Sequence, residues 1–105
     1  MNTTIKDYIT SQSVSSSSAS GWRVWKSGLI EQWGAVTAKG TVTFTKPYKN
    51  TNYNLAISPA YTDTSRNATG GSMVNQRTST SFYIFSLGDN GGAYTIVATW
   101  HAWGF

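Results

Sequence analysis

Few side chains in this sequence could carry acid–base, nucleophilic or metal chemistry. His101 is the only histidine and there is no cysteine, so thiolate catalysis and thiolate metal sites are excluded. A serine-hydrolase triad would depend on His101, but no Gly-x-Ser-x-Gly turn accompanies it. Carboxylates for glycosidic cleavage would have to come from Glu31, Asp63 and Asp89, without groove-forming segments around them. The sequence predicts no enzyme, no cofactor and no metal site, and it assigns His101 to a core or an interface.

Binding chemistry is concentrated in segments rich in Gly, Asn and Asp. In residues 61–71, YTDTSRNATGG, a tyrosine ring can stack on a sugar, and charged and amide groups can bind hydroxyls. The same residues also suit a plain exposed loop, because Asp and Asn stabilise turns. LGDNGG (87–92) and PYKNTNY (47–53) leave the same alternatives open. The candidate receptor-binding residues are Tyr61, Asp63, Arg66, Asn67, Asp89 and Asn90.

Short alternating segments are the elements that must position these loops. Thr alternates with Val42 and Phe44 in TVTFT, and YNLAIS places Tyr53, Leu55 and Ile57 on one face. No helical period longer than a turn follows residue 20. About seven short strands with Gly, Asn and Ser between them predict an all-β fold, a small antiparallel β-sandwich over residues 21–105.

Residues 1–20 differ from the rest of the chain. SQSVSSSSAS is a serine-rich tract without periodicity, which predicts a linker or a disordered, stalk-like junction. Before it, Ile5, Tyr8 and Ile9 have helical spacing, which suits one or two turns of helix or a frayed terminus.

Three of the five tryptophans lie in GWRVWKSGLIEQWG, residues 21–34. A two-residue loop at Ser27–Gly28 would pair residues whose numbers add up to 55. Trp22 would then face Trp33, and Trp25 would share the other face with Ile30. Because both faces would carry tryptophan, we expect both faces of the hairpin to be packed against other residues. In so small a domain, the residues on the second face would come from another chain.

The last strand, residues 94–105, has an apolar face of Tyr94, Ile96, Ala98, Trp100 and Ala102. Its other face is mixed, and the chain ends on WHAWGF although termini normally fray. The ending predicts a chain end held in a core or an interface. Glu31 is expected to form an ion pair with Lys26 or to bind backbone amides. The candidate interface residues are Trp25, Ile30, Trp103 and Phe105.

Composition limits the possible partners. Charged residues make up 11% of the chain and the net charge is +4, with no two basic residues adjacent. Nucleic-acid binders normally concentrate their basic residues, so a single-strand nucleic-acid binder is only a minor alternative, recognisable by a steep salt dependence. No apolar run suggests membrane insertion or a signal peptide, so we expect the protein either to stay in the cytoplasm or to leave it by cell lysis.

Three segments together resemble the C-terminal domain of phage and prophage tail-fibre proteins. They are GWRVWKSGLIEQWG, TVTFTKPYKNTNYNLAISP and the closing TWHAWGF, with KDYI before the serine tract similar to the junction that such domains follow. The sequence departs from the family pattern in the SSSSAS insertion and in Gln32, where many relatives have Cys.

The resemblance implies a homotrimeric, distal receptor-binding knob of a virion tail fibre, made in the host cytoplasm. Its partner would be a bacterial cell-surface glycan or outer protein, bound without turnover. Alternatively, the domain is mainly a trimerisation and folding clamp, and specificity lies elsewhere.

Overall fold

Eight antiparallel strands form two sheets in the computed structural model, which describes residues 7–37, 39–61, 72–86 and 96–105. The five-stranded sheet has the order β1-β2-β3-β8-β5, and the three-stranded sheet has the order β4-β7-β6. The prediction of an all-β antiparallel sandwich is confirmed, with eight strands where about seven were expected. The strands are β1 (Ile9–Ser13), β2 (Gly21–Trp25), β3 (Ile30–Val36), β4 (Gly40–Thr43), β5 (Asn54–Tyr61), β6 (Ser72–Asn75), β7 (Ser81–Ser86) and β8 (Ile96–Gly104).

The core lies between the two sheets and is strongly aromatic. Phe82 and Ile84 of β7 are fully buried, and Ala102 and Trp100 of β8 face them from the other sheet. Phe44 contacts four rings with centroids 5.0 to 5.8 Å apart, two of them edge-on and two tilted. The edge-on contacts have a geometry that ring quadrupoles prefer. The remaining buried apolar side chains are Tyr48, Tyr53 and Ala98.

Alternation correctly predicted which residues of several strands point inward. Inward residues of β4, β5 and β8, counting Phe44 directly after β4, pack in or against the core: Val42, Phe44, Leu55, Ile57, Ala98, Trp100 and Ala102. These assignments hold because side chains of a strand alternate strictly between its two faces, whatever the strand pairs with.

The predicted register of the β2–β3 hairpin is wrong by one residue. Trp25 N–H donates to Leu29 O at 2.9 Å, and Gly28 N–H donates to Trp25 O at 2.9 Å. The loop therefore has three residues, Lys26 to Gly28, and Gly28 adopts a φ of 95°, as three-residue hairpin loops require at their last position. Paired positions sum to 54, so Trp22 pairs with Gln32 and Val24 with Ile30.

This register places the tryptophans differently from the prediction. Trp33 pairs with Gly21, not with Trp22, and its indole covers the glycine so closely that a Cβ there would lie 2.6 Å from Cζ2. Trp22 and Ile30 share the inner face, and Ile30 packs against the core. Trp25 therefore lies on the opposite face from Ile30.

Part of the expected linker is a strand. Ile9 begins β1, which pairs antiparallel with β2 although all five of its residues are exposed. Tyr8 and Ile9 are thus not in a helical turn, because pairing with β2 supplies the backbone hydrogen bonds that a short isolated helix would lack. The domain boundary at residue 20 remains a prediction.

Gln32 is the one polar residue buried among those described, at 1% exposure. Its amide Nε2 donates to Lys46 O at 2.7 Å, and its Oε1 accepts from Lys46 N–H at 3.2 Å. The side chain thus ties β3 to the segment after β4, and both of its polar groups are satisfied, as burial demands.

Candidate binding face

The outer face of the five-stranded sheet, turned away from the three-stranded sheet, carries an aromatic and charged cluster. Antiparallel pairing places Arg23 beside Glu31, Glu31 beside Trp103, and Trp33 beside His101. Directly paired residues project to the same face, so side chains from β2, β3 and β8 meet here. The cluster consists of Arg23, Trp25, Glu31, Trp33, His101 and Trp103.

Glu31 lies at the centre of this cluster. Trp25 Nε1–H donates to Glu31 Oε1 at 2.6 Å, and His101 Nε2 lies 3.8 Å from Oε2. The side chains of His101 and Glu31 are 47% and 22% exposed. The predicted partners, Lys26 or backbone amides, are replaced by Trp25 and His101, because the three-residue loop puts Trp25 on the face of Glu31.

His101 stands between two indoles. Its ring centroid lies 5.1 Å from that of Trp103 and 6.3 Å from that of Trp33. The Arg23 guanidinium lies 5.2 Å from the Trp33 ring centroid, and its Nε donates to Gln12 Oε1 at 3.2 Å. Such cation–π and hydrogen-bond contacts orient long side chains at a surface.

One end of the outer face, near the β2–β3 loop, is apolar. Ile9 pairs with Trp25, and Leu29 shares a shallow hollow with Trp103. Phe105 is 56% exposed, and its ring would contact a Cβ placed on Gly28 in the loop. We call this region the apolar end; it consists of Ile9, Trp25, Leu29, Trp103 and Phe105.

Asp7 fixes the β2–β3 loop. Its carboxylate accepts from Ser27 Oγ at 2.7 Å and from Ser27 N–H at 3.0 Å, and Lys26 N–H donates to Tyr8 O at 2.8 Å. The Ser27 hydroxyl, followed by the backbone amides of Ser27 and Tyr8, lowers the pKa of Asp7 below 3.8 despite some desolvation. The ionised carboxylate therefore holds the start of β1 against the hairpin.

The predicted receptor loops fall largely outside the described residues. Asp63, Arg66, Asn67, Asp89 and Asn90 all lie there, and Tyr61 is described only as the last residue of β5. The third candidate, residues 47–53, is described in full. Its two tyrosines are each 4% exposed and stack on each other at 4.7 Å, so they belong to the core and not to a ligand site.

Three of the four predicted interface residues share one region. Trp25, Trp103 and Phe105 lie at the apolar end, whereas Ile30 lies on the inner face. The group of Arg23, Glu31, Trp33 and His101 was not predicted from the sequence. The mixed face of β8 indicated His101 and Trp103, but the one-residue register error separated Trp33 from Arg23.

No three His, Asp or Glu side chains in the described ranges lie close enough together to hold a metal ion. No helix long and apolar enough to cross a membrane occurs in that part of the chain.

Residues 23–105 match the family model of the C-terminal region of gp53-like tail fiber proteins. No curated protein sequence matches the chain. Among solved structures, an N-truncated R1-type pyocin tail fiber is similar with a TM-score of 0.63 and 19% identity, over 96% of this chain and 87% of that one.

Two R2-type pyocin structures are also similar, over 90% of this chain. An N-truncated R2-type tail fiber has a TM-score of 0.57 and 27% identity, and 37% of it is covered. A C-terminal fragment of the P. aeruginosa R2 pyocin fiber has a TM-score of 0.54 and 28% identity, with 25% covered. The chain thus corresponds to only part of these longer fragments.

Proposed function

Because this chain belongs to the family of gp53-like tail fiber C-terminal domains, we propose that it is the receptor-binding tip of a phage-like tail fibre. It binds a bacterial surface glycan or outer protein without chemical turnover. The observation that supports this role most directly is the outer face. There, three tryptophans, a histidine and two charged side chains stay partly accessible although the core is complete without them. Large surface clusters of this kind typically mark binding sites.

The loops predicted from the sequence belong to the same proposal. Tyr61, Asp63, Arg66 and Asn67, together with Asp89 and Asn90, carry groups that suit sugar hydroxyls or acidic sugars. Loops held by a rigid sheet are common places for recognition. They and the outer face are thus two candidate contact regions of one tip domain.

Binding of the fluorescently labelled full chain to a panel of bacterial strains tests this function. We expect binding to some strains and not others, and inhibition by unlabelled chain. Equal binding to every strain, or to none, contradicts receptor recognition. Tyr61→Ala and Arg66→Ala then show whether the loop contributes, since loss of adsorption with unchanged folding would assign recognition to it.

The apolar end favours a second function, a trimerisation clamp of the fibre. Ile9 and Phe105 are 38% and 56% exposed, and both flank Trp25 or the loop that follows it. Exposed apolar side chains that adjoin one another are typical of subunit contacts. We propose that Ile9 and Phe105, the two exposed side chains of this end, contact a neighbouring copy in a homotrimer.

The oligomeric state of the full chain tests the clamp. Sedimentation equilibrium of the unmodified chain should give the mass of three chains, and Ile9→Ser with Phe105→Ser should give one. Val14→Ser is the matched control, because Val14 is 49% exposed but lies beyond the opposite end of β1. A monomeric unmodified chain would contradict the clamp. Deletion of WHAWGF would not test the clamp separately, since β8 is an interior strand of its sheet and carries Trp100 and Ala102 of the core.

A further inference from the structure

The outer face carries a row of three shallow hollows along β8. One, of about 330 Å³, is lined by Leu29, Glu31, His101 and Trp103. The next, of about 400 Å³, shares Glu31 and His101 and adds Arg23 and Trp33. The third, of about 380 Å³, shares Trp33 and His101 and continues to Ala56, Ser58 and Thr99. From Trp103 to Thr99 the row follows β8 for about 13 Å, so it suits an extended ligand.

The middle of this row contains an acceptor that is already oriented. The indole N–H of Trp25 holds Glu31 Oε1 at 2.6 Å, while Oε2 lies 3.8 Å from His101 Nε2, beyond hydrogen-bond distance. Since no donor among the described residues lies within hydrogen-bond distance of Oε2, it can accept hydrogen bonds from a ligand along this row. Hydroxyl groups of a ligand can donate to it, and a hydrogen bond to a carboxylate is about twice as strong as one between neutral groups.

Aromatic rings alternate with polar groups along the row. Trp103 and Trp33 stand on either side of His101, and Arg23 is held over Trp33 by Gln12. A ring with an apolar face beside fixed donors and acceptors matches a sugar, which also has an apolar C–H face and a rim of hydroxyls. Three such positions in line match a linear saccharide better than a single sugar.

Other classes of ligand fit this surface less well. A peptide strand binds the free edge of a sheet, whereas β3 and β8 are each hydrogen-bonded on both sides. A second copy of the chain would bury the Glu31 carboxylate in the middle of the contact, and interface centres are depleted in Glu. An acidic sugar would bring a second negative charge next to Glu31.

We propose that this row binds a linear saccharide with a neutral sugar beside Glu31, and that His101, Trp33 and Trp103 provide the contacts along it. The proposal rests on the proposed function, in which the domain contacts a bacterial surface, and it assigns a site on the sheet in addition to the loops. Glu31 acts as a binding residue whose orientation depends on Trp25.

A panel of soluble oligosaccharides tests the site: linear hexasaccharides of glucose and of N-acetylglucosamine, soluble bacterial O-polysaccharides, and hexagalacturonate as the acidic member. Two-dimensional NMR of the ¹⁵N-labelled full chain is the readout. At least one neutral member should shift the indole N–H signals of Trp33 and Trp103 and the amide of His101. Absence of any shift across the panel, or a preference for hexagalacturonate, overturns the proposal.

Variants of the chain test which residues of the row bind the saccharide. Glu31→Gln keeps the shape but removes the charge, and we expect it to weaken binding several-fold; His101→Ala should weaken it about tenfold. Lys49→Gln, an exposed charge change outside the row, should bind like the unmodified chain. Equal affinity of all four proteins overturns the assignment to this row.

Failure of this site and failure of the proposed function give different results. Adsorption to bacteria that survives Glu31→Gln and His101→Ala but is lost in Arg66→Ala retains the receptor-binding function and overturns the saccharide row. Saccharide binding at the row by a chain that adsorbs to no strain supports the row and contradicts the proposed function.

Discussion

The two faces of the five-stranded sheet use the same residue types for opposite purposes. On the inner face, Trp100 is 8% exposed and packs against Phe82 and Phe44. On the outer face, Trp33 and Trp103 are partly exposed and are separated by a histidine beside a carboxylate. The difference shows that an aromatic residue indicates a core only when its neighbours on the same face are apolar too.

The largest effect on stability should come from truncating a side chain in the core against which the inner face packs. Phe82→Ala removes a fully buried ring that contacts Phe44 and Trp100, and we expect a loss of about 3 to 5 kcal/mol in the free energy of unfolding. His101→Ala on the outer face should change it by less than about 0.5 kcal/mol. Urea denaturation of both at one protein concentration measures the two values, and similar losses would contradict the division between the faces.

The inner face also contains a polar contact, and breaking it sharpens the comparison. Gln32→Ala leaves the partly buried N–H and C=O of Lys46 without the partners that they have in the fold. We expect a loss of about 1 to 3 kcal/mol in unfolding free energy. The matched change on the outer face is Glu31→Gln, which keeps an acceptor for Trp25 and should be nearly neutral. If Gln32→Ala lowers the unfolding free energy no more than Glu31→Gln does, the hydrogen bonds between β3 and the segment after β4 contribute little to stability.

The loop that assigns tryptophans to faces should tolerate only glycine at its last position. Gly28→Ala places a Cβ on a residue with a φ of 95°, at a cost of about 1 kcal/mol in unfolding free energy. No clash contributes, since the nearest atom, Phe105 Cδ1, is 3.8 Å away. Thermal unfolding of Gly28→Ala, with Ser27→Ala as a separate variant that tests the Asp7 contact, measures the strain. An unchanged melting temperature for Gly28→Ala would contradict the three-residue loop.

The smallest effect concerns the attachment of β1 at the apolar end. The Ser27 donors lower the pKa of Asp7. The contribution of the Asp7–Ser27 contact to stability is therefore complete above pH 3.8. This contribution is lost as the pH falls through the lowered pKa that Asp7 has in the folded state. We expect the protection factor of the Ser27 amide, the intrinsic hydrogen-exchange rate at the same pH divided by the observed rate, to fall on this acidification, measured by NMR, with little change in the core. Asp7→Asn should remove this pH dependence, and its persistence in that variant would assign it to another group.

Alternation within single strands was predictable from the sequence. Val42, Phe44, Leu55 and Ile57 point to or pack against the core as expected, because the direction of successive side chains is a local property of extended backbone. The aromatic ending of β8 likewise indicated a strand held in the fold. It pairs with β3 and β5 along most of its length.

Only the tertiary structure decided which residues meet. The order of Lys26, Ser27 and Gly28 permits a two- or a three-residue loop, and a difference of one residue moves Trp25 from beside Ile30 to beside Glu31. The meeting of Arg23, Glu31, Trp33 and His101 also depends on β3 lying between β2 and β8. Sequence by itself determined the strands after residue 20, the buried faces of β4, β5 and β8, and the resemblance to tail-fibre tips. Register and strand order, which depend on the balance of hydrogen bonds and packing between distant segments, determined the candidate binding face.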